Sequence, residues 1–111
     1  GSRLENVFDV NMNSYHGNNI ILWKYATGLN QLWTIALDGV GNYTFVSSYQ
    51  QLAMEVSTQD SSLVRANVKT NAINQKWRVI KETNGYSIKS ADSGHSLRGY
   101  GDLGQGSKVG I

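Results

Sequence analysis

Three residues in the first third of the chain, Asp9, Trp23 and Asn30, are of types that together recognise a sugar. A carboxylate accepts hydrogen bonds from two adjacent hydroxyl groups, and an Asn amide both donates and accepts them. An indole face covers the apolar C–H patch of a pyranose ring. Asp9 alternates with the apolar residues Phe8 and Val10, so its carboxylate should lie on the face opposite to theirs. The set predicts a carbohydrate site, and a solvated strand carboxylate is the alternative for Asp9.

The segment that contains Asn30 is written twice, as NQLWTI and as NQKWRV, 44 residues further along the chain. The repeated residues are Asn30, Gln31 and Trp33 in the first copy and Asn74, Gln75 and Trp77 in the second. A bulky indole at the same place in each copy is more typical of a core than of a sugar-stacking surface. The two glutamines are expected to satisfy backbone groups of strands and turns. The asparagines stand where a turn enters a strand, and turn formation alone is the alternative role for them.

The elements that carry these residues are short runs rich in β-branched and aromatic side chains, separated by clusters of Gly, Asn, Ser and Asp. They include NVFDV, NIILW, LWTIA, YTFVSS, LAMEV, SLVRANV and KWRVI. No helical period is sustained, and twelve glycines without a proline suit many tight turns. The pattern predicts an all-β protein.

Superposing the two Asn-Gln-x-Trp segments aligns more than the motif, because FDV then falls near MEV, and IILW falls on VRAN. A partial third copy runs from YSIKSA to the last residue, so the period is about 43 to 46 residues. A unit of about four short strands cannot bury its own apolar face, and three such units around one axis can. We therefore expect a single domain over residues 1–111, with repeats at about 3–40, 41–82 and, in part, 83–111.

The Asp of FDV, the aromatic residue of ILW and the Asn of NQLW together resemble the ricin B-type lectin family over nearly the entire chain. This family is a β-trefoil whose repeats bear Gln-x-Trp motifs. The resemblance implies that Asp9, Trp23 and Asn30 contact the sugar, with Gln31 supporting them. It also implies a galactose-type or related glycan as ligand, a secreted or cell-surface location, and a role as a targeting part of a toxin or glycan-degrading enzyme.

A trefoil of this family has twelve strands, and the chain reads as starting at the second strand of repeat one and stopping at the third strand of repeat three. About ten strands are therefore expected. Because the first and last strands of a trefoil are neighbours, the missing pair would leave unpaired backbone edges. A fragment or a clipped chain would account for the gap, and a homo-oligomer or partner strands could complete the barrel.

The later repeats have drifted from the pattern of the first. Repeat two has Glu55 for the Asp and Asn67 for the aromatic residue and keeps Asn74, so its site is expected to be weak or inactive. Repeat three has Arg98 at the acidic position. His16, in the loop before the second strand, and Tyr25, just after Trp23, are further candidates for sugar contacts. A surface histidine and an exposed residue without a ligand role are the alternatives for them.

Composition restricts the remaining functions. Ten Lys and Arg against eight Asp and Glu are scattered singly, which is not the pattern of a nucleic-acid surface, and no apolar segment is long enough to insert into a membrane. No cluster of cofactor or metal ligands and no nucleophile motif is visible, so we expect neither cofactor nor metal and a protein that is not an enzyme. The alternative to a lectin is a β-trefoil interaction scaffold that has lost sugar binding, and a catalytic domain is the third possibility.

Overall fold

A computed structural model describes residues 6–12, 18–24, 26, 28–83, 85–99 and 108–111. Within them, ten short strands and two 3₁₀ turns follow one another. The strands are β1 (Asn6–Val10), β2 (Asn18–Lys24), β3 (Trp33–Leu37), β4 (Tyr43–Ser47), β5 (Leu52–Val56), β6 (Val64–Val68), β7 (Trp77–Glu82), β8 (Gly85–Ser90), β9 (Arg98–Gly99) and β10 (Val109–Gly110), and the turns are Leu29–Gln31 and Ile73–Gln75. No helix in this described part is long and apolar enough to span a membrane.

Three antiparallel hairpins share one register. β1 pairs with β2, β5 with β6, and β9 with β10, and the pairs Val10↔Ile20, Val56↔Val64 and Gly99↔Val109 occupy equivalent positions. This register superposes Asp9, Glu55 and Arg98, and it superposes Trp23 on Asn67. The alignment of FDV with MEV and of IILW with VRAN is therefore the alignment that the structure adopts.

The remaining strands form a wall in the order β3–β4–β7–β8. β3 pairs with β4 as β7 pairs with β8, because Trp33 lies opposite Ser47 and Trp77 lies opposite Ser90. Hairpins and wall together build a β-trefoil of pseudo-repeats, which confirms the all-β fold that the sequence predicts.

The core lies where the hairpins meet the wall. β-Branched and aromatic residues that alternate along the strands supply it, since one face of each hairpin is buried. Its fully or nearly fully buried apolar members are Val10, Ile20, Phe45, Met54, Val64, Ala66, Trp77 and Val109. Every repeat contributes to this one core, so the repeats cannot be separate folding units.

Candidate functional site

The β1–β2 ribbon places the candidate sugar-binding residues on the face that points away from the core. Phe8 and Val10 pack in or against the core from the inner face. On the other face Asp9 lies opposite Ile21, and the backbone of Trp23 lies opposite residue 7, two positions along the same strand. Asp9 and Trp23 are thus diagonal neighbours on one surface, a relation that typically separates residues by about 7 to 8 Å.

Asp9 is held from both sides by the first 3₁₀ turn. Its Oδ1 accepts a hydrogen bond from Asn30 Nδ2 at 3.0 Å, and its Oδ2 accepts one from Gln31 Nε2 at 2.9 Å. Only 6% of Asp9 is exposed. The alternative of a solvated carboxylate is therefore wrong: the 3₁₀ turn folds over this face of the strand and replaces water as the hydrogen-bond donor.

The turn is itself fixed by further hydrogen bonds to the backbone. Asn30 Nδ2 also donates to the carbonyl of Val10 at 3.3 Å, and Gln31 Oε1 accepts from the N–H of Ala26 at 2.7 Å. Trp33 Nε1 donates to the carbonyl of Phe8 at 3.2 Å. The motif thus forms hydrogen bonds with the backbone carbonyls before and after Asp9, and these bonds fix the direction of the carboxylate.

Gly28, the residue before the turn, is a part of the site that the motif did not reveal. A Cβ added there would stand 2.5 Å from Asn30 Oδ1, too close for the amide to keep its place. Repeat two has Ala72 at the equivalent position, directly before Ile73–Gln75. The two turns are otherwise similar in sequence, so the difference between Gly28 and Ala72 was the sequence signal that could have identified Gly28 as part of the site.

Trp23 provides the apolar surface of this face. Its side chain is 40% exposed, whereas Trp77 is fully buried and Trp33 packs, partly buried, against the core. The three indoles thus differ in burial, with Trp77 in the core, Trp33 partly buried against it and Trp23 at the surface. A half-exposed indole beside hydrogen-bonding groups is the arrangement that binds a ring with one apolar face.

Repeat two keeps the same framework around Glu55. Gln75 Nε2 donates to Glu55 Oε1 at 2.9 Å, and Gln75 is 1% exposed. Trp77 Nε1 donates to the carbonyl of Met54 at 3.0 Å, and Asn74 Nδ2 donates to the carbonyl of Val56 at 3.0 Å. Gln75 therefore holds the carboxylate as Gln31 does, and Asn74 holds the backbone, whereas Asn30 bonds both the backbone and Asp9.

The chemistry of repeat two differs because a cation neutralises its carboxylate. Arg65, which lies opposite Glu55, donates from Nε to Glu55 Oε2 at 2.7 Å, and Asn67 Nδ2 donates to the same oxygen at 3.0 Å. Burial alone would raise the pKa of Glu55, but hydrogen bonds from Gln75, Asn67 and Arg65, with the charge of Arg65, lower it below its ordinary value. Glu55 is thus ionised and already bonded from three sides.

The other candidates are placed as follows. Arg98 occupies the acidic position of repeat three, opposite Gly110, and its side chain is exposed. His16 and Tyr25 lie outside the described residues. No group of three His, Cys, Asp or Glu in the part of the chain that the structure describes is arranged to hold a metal ion.

Solved structures show the same fold. A designed 3-fold symmetric protein, ThreeFoil, is 27% identical, with a TM-score of 0.84 over 94% of this chain and 79% of that chain. A mosquitocidal holotoxin is 19% identical with a TM-score of 0.85, but the match covers 96% of this chain and only 14% of the toxin. A Polyporus squamosus lectin bound to the epitope Neu5Acα2-6Galβ1-4GlcNAc is 21% identical with a TM-score of 0.77, over 96% of this chain and 39% of the lectin.

The last two identities are low enough to establish the fold alone, and in both proteins the matched trefoil is a minor part of a longer chain. Comparison with curated protein sequences yields no significant match. The model of the ricin-type beta-trefoil lectin domain, however, matches residues 3–111. The chain therefore belongs to the ricin-type β-trefoil lectin domain family, a family of carbohydrate-binding modules.

Proposed function

We propose that this domain binds one galactose-type or related glycan at repeat one, on the surface formed by Asp9, Trp23 and Asn30. The observation that carries the proposal is the contrast between the two carboxylates. Asp9 is oriented by amide donors and lies opposite the apolar residue Ile21, whereas Glu55 is paired with Arg65.

An oriented carboxylate can still accept hydrogen bonds from a sugar. Asp9 receives one protein donor on each oxygen, and an ionised carboxylate offers about four acceptor sites in all. Two adjacent hydroxyls of a pyranose could use the remaining sites, while Asn30 Oδ1 provides a further acceptor. Trp23, exposed on the same face, would then cover the apolar side of the ring.

Sugar binding at a single site of this size should be weak. Small polar ligands exchange hydrogen bonds with water for hydrogen bonds with protein, so we expect a Kd between about 1 mM and tens of micromolar. Weak single sites become useful through multivalency. This supports a role as the targeting part of a larger secreted protein, in which other sites or domains increase avidity.

The three indole N–H groups allow a direct test by two-dimensional NMR, with galactose, lactose or N-acetylgalactosamine as titrant. Trp33 and Trp77 each donate to a backbone carbonyl of their own repeat, so their signals are internal references. We expect saturable shifts for Trp23 and small ones for the other two. Trp23→Ala should weaken binding by roughly 2- to 12-fold, the worth of one aromatic contact. Val68→Ala, an exposed site in repeat two, is the matched control.

A scaffold without sugar binding is the second candidate function. The buried Glu55–Arg65 pair favours it, because repeat two has kept its framework while its carboxylate is fully engaged within the protein. If no sugar of a broad glycan array shifts the Trp23 signal, the scaffold is the better description of the domain.

A further inference from the structure

Two cations lie directly opposite each other on the outer face of the β7–β8 hairpin. Arg78 of β7 pairs with Lys89 of β8. Both point away from the core, because Val79 and Ile88, one position away on each strand, pack against it. Directly opposed side chains have Cβ atoms about 4.5 to 5.5 Å apart, and like charges at such positions destabilise a sheet. A ligand with negative charge would relieve this repulsion.

No acidic side chain among the described residues neutralises the pair. Within that part of the chain, neither Arg78 nor Lys89 forms a side-chain hydrogen bond or an ion pair, whereas the buried Arg65 has its own carboxylate partner. The acid on the same face of β7, Glu82, lies four residues from Arg78 and accepts a hydrogen bond from Ser87 Oγ at 2.9 Å. The two cations are therefore available to a partner outside the chain.

A third cation continues this face onto the neighbouring strand. Lys89 forms a β-bridge with Ser96, on the side of β8 that faces away from β7. Arg98 follows two residues after Ser96, so alternation returns it to the same face, diagonal to Lys89 at a typical distance of about 7 to 8 Å. Its side chain is exposed. Arg78, Lys89 and Arg98 thus form one line of positive charge across three strands, called the basic row below.

The equivalent positions of the preceding copy are not basic. Lys89 bridges Ser96 as Val46 pairs with Ala53, so the registers of the two copies correspond. Each member of the basic row then has a counterpart 43 or 44 residues earlier, namely Thr34 for Arg78, Val46 for Lys89 and Glu55 for Arg98. These positions hold one negative charge in the preceding copy and three positive charges in the basic row. The same framework forms in both, so the fold does not require cations there.

We propose that the basic row binds the sulfate or carboxylate groups of an acidic glycan. The choice of a glycan rests on the proposed function, but the surface is a second one, separate from Asp9 and Trp23. Guanidinium groups bind the oxygens of such anions in pairs, and a lysine adds a point charge. Cations spread over three strands suit a polymer with repeated charges. The described residues of this face include no aromatic side chain on which a nucleic-acid base would stack.

Sulfated dextran and carboxymethyl dextran oligosaccharides are the probes, and uncharged dextran of equal length is the blank. Dextran is a glucose polymer, so it does not test galactose recognition at repeat one. In two-dimensional NMR we expect saturable shifts of the Arg78 side-chain Nε–H and of the Lys89 and Ser96 amides, with the Trp23 indole signal unchanged. Trp23 reports on the proposed function and the β8 amides report on the basic row, so failure of either is seen separately.

A matched pair of double variants locates the contact. Arg78→Thr with Lys89→Val restores the residues of the preceding copy, and should weaken binding by roughly 2- to 30-fold, the worth of two exposed ion pairs. Because it removes a like-charge pair, it should be at least as stable as the parent protein in urea. Lys69→Thr with Lys81→Thr removes two exposed cations elsewhere, gives the same net charge, and should change binding less than about twofold.

Several results would overturn the proposal. It fails if neither charged dextran binds, if uncharged dextran binds as tightly, or if the two double variants weaken binding alike. It also fails if a single-stranded oligonucleotide, or vesicles of phosphatidylcholine and phosphatidylserine, shift the same amides at lower concentration than the charged dextrans do in the same salt. The partner would then be a nucleic acid or an anionic membrane surface.

Discussion

Replacing Asp9 by Asn is the sharpest test of how repeat one works. Asn has nearly the same size as Asp, but one of its two terminal atoms is an NH₂ donor instead of an oxygen acceptor. Asn30 and Gln31 each direct an amide donor at Asp9, one at each oxygen. Whichever way the new amide is turned, one of these donors meets another donor.

The neighbouring side chains cannot easily rotate to repair the mismatch. Turning the Gln31 amide would direct its NH₂ group at the N–H of Ala26, which now donates to Oε1 at 2.7 Å. Turning the Asn30 amide would remove its bond to the Val10 carbonyl. The loss is one hydrogen bond to a charged acceptor, worth about 1.5 to 3 kcal/mol. For a chain of this length we expect Tm to fall by roughly 6 to 13 °C.

Glu55→Gln is the matched change in repeat two. It should lower stability more than Asp9→Asn does, whereas Asp9→Asn should be the variant that weakens sugar binding. Glu55→Gln leaves Arg65 buried without its carboxylate, which typically costs about 3 to 5 kcal/mol, so it should lower stability more than Asp9→Asn does. Only Asp9→Asn should reduce sugar binding, by roughly 10- to 150-fold if one charged hydrogen bond to the ligand is lost.

Urea unfolding followed by circular dichroism would measure stability, and the Trp23 indole titration would measure binding, at a temperature where both variants are folded. Sugar binding that is unchanged in folded Asp9→Asn would refute the role of the carboxylate. An equal loss of binding in Glu55→Gln would show that the loss follows general stability and not the site.

Three further predictions concern stability. The pKa of Glu55 in the folded protein is lowered from its ordinary value of 4.5. The ionised carboxylate therefore stabilises the fold fully above that pH, and this stabilisation is lost as pH falls through the lower folded pKa. Tm measured from pH 6 to 2 should fall less steeply in Glu55→Gln than in the parent protein. Gln51 has a left-handed backbone with φ 55°, and Gly94, with φ 79°, occupies the equivalent position in the turn of repeat three. Because glycine adopts this conformation without strain, Gln51→Gly should stabilise the protein by about 1 kcal/mol in thermal unfolding. Gln59→Gly, at an exposed residue without a positive φ, is the control and should not stabilise. Trp77→Ala should cost about 3 to 5 kcal/mol in urea unfolding, and an equal or larger loss for the partly buried Trp33→Ala would contradict the burial difference.

The strands and their equivalence were readable from the sequence because both are local patterns. Alternating apolar residues identify each strand, and the two Asn-Gln-x-Trp segments set a register that the hairpins then follow. The same register superposes Asp9 on Glu55 and Trp23 on Asn67. The positions of the candidate site were therefore predictable.

What those positions do was less predictable, because it depends on contacts between distant residues. Alternation places Asp9 on the face away from the core, but it does not show that a turn 21 residues later closes over it. The alignment puts Arg65 where repeat one has Ile21, yet only the pairing of β5 with β6 shows that Arg65 reaches Glu55. The exposure of Tyr86 likewise depends on which strands are neighbours, which no local pattern records.

The Asn-Gln-x-Trp residues hold the acidic residue in place in both repeats, but they do not determine what its carboxylate binds. In both repeats the tryptophan holds the carbonyl before the acidic residue, the asparagine holds the carbonyl after it, and the glutamine holds the acid itself. These three contacts are common to both repeats, and in repeat one Asn30 also donates to Asp9 itself. The difference lies in the next strand, where Ile21 and Trp23 of repeat one stand in place of Arg65 and Asn67. Arg65 and Asn67 bond the carboxylate of repeat two within the fold, and the proposed sugar site rests on their replacement by Ile21 and Trp23 in repeat one.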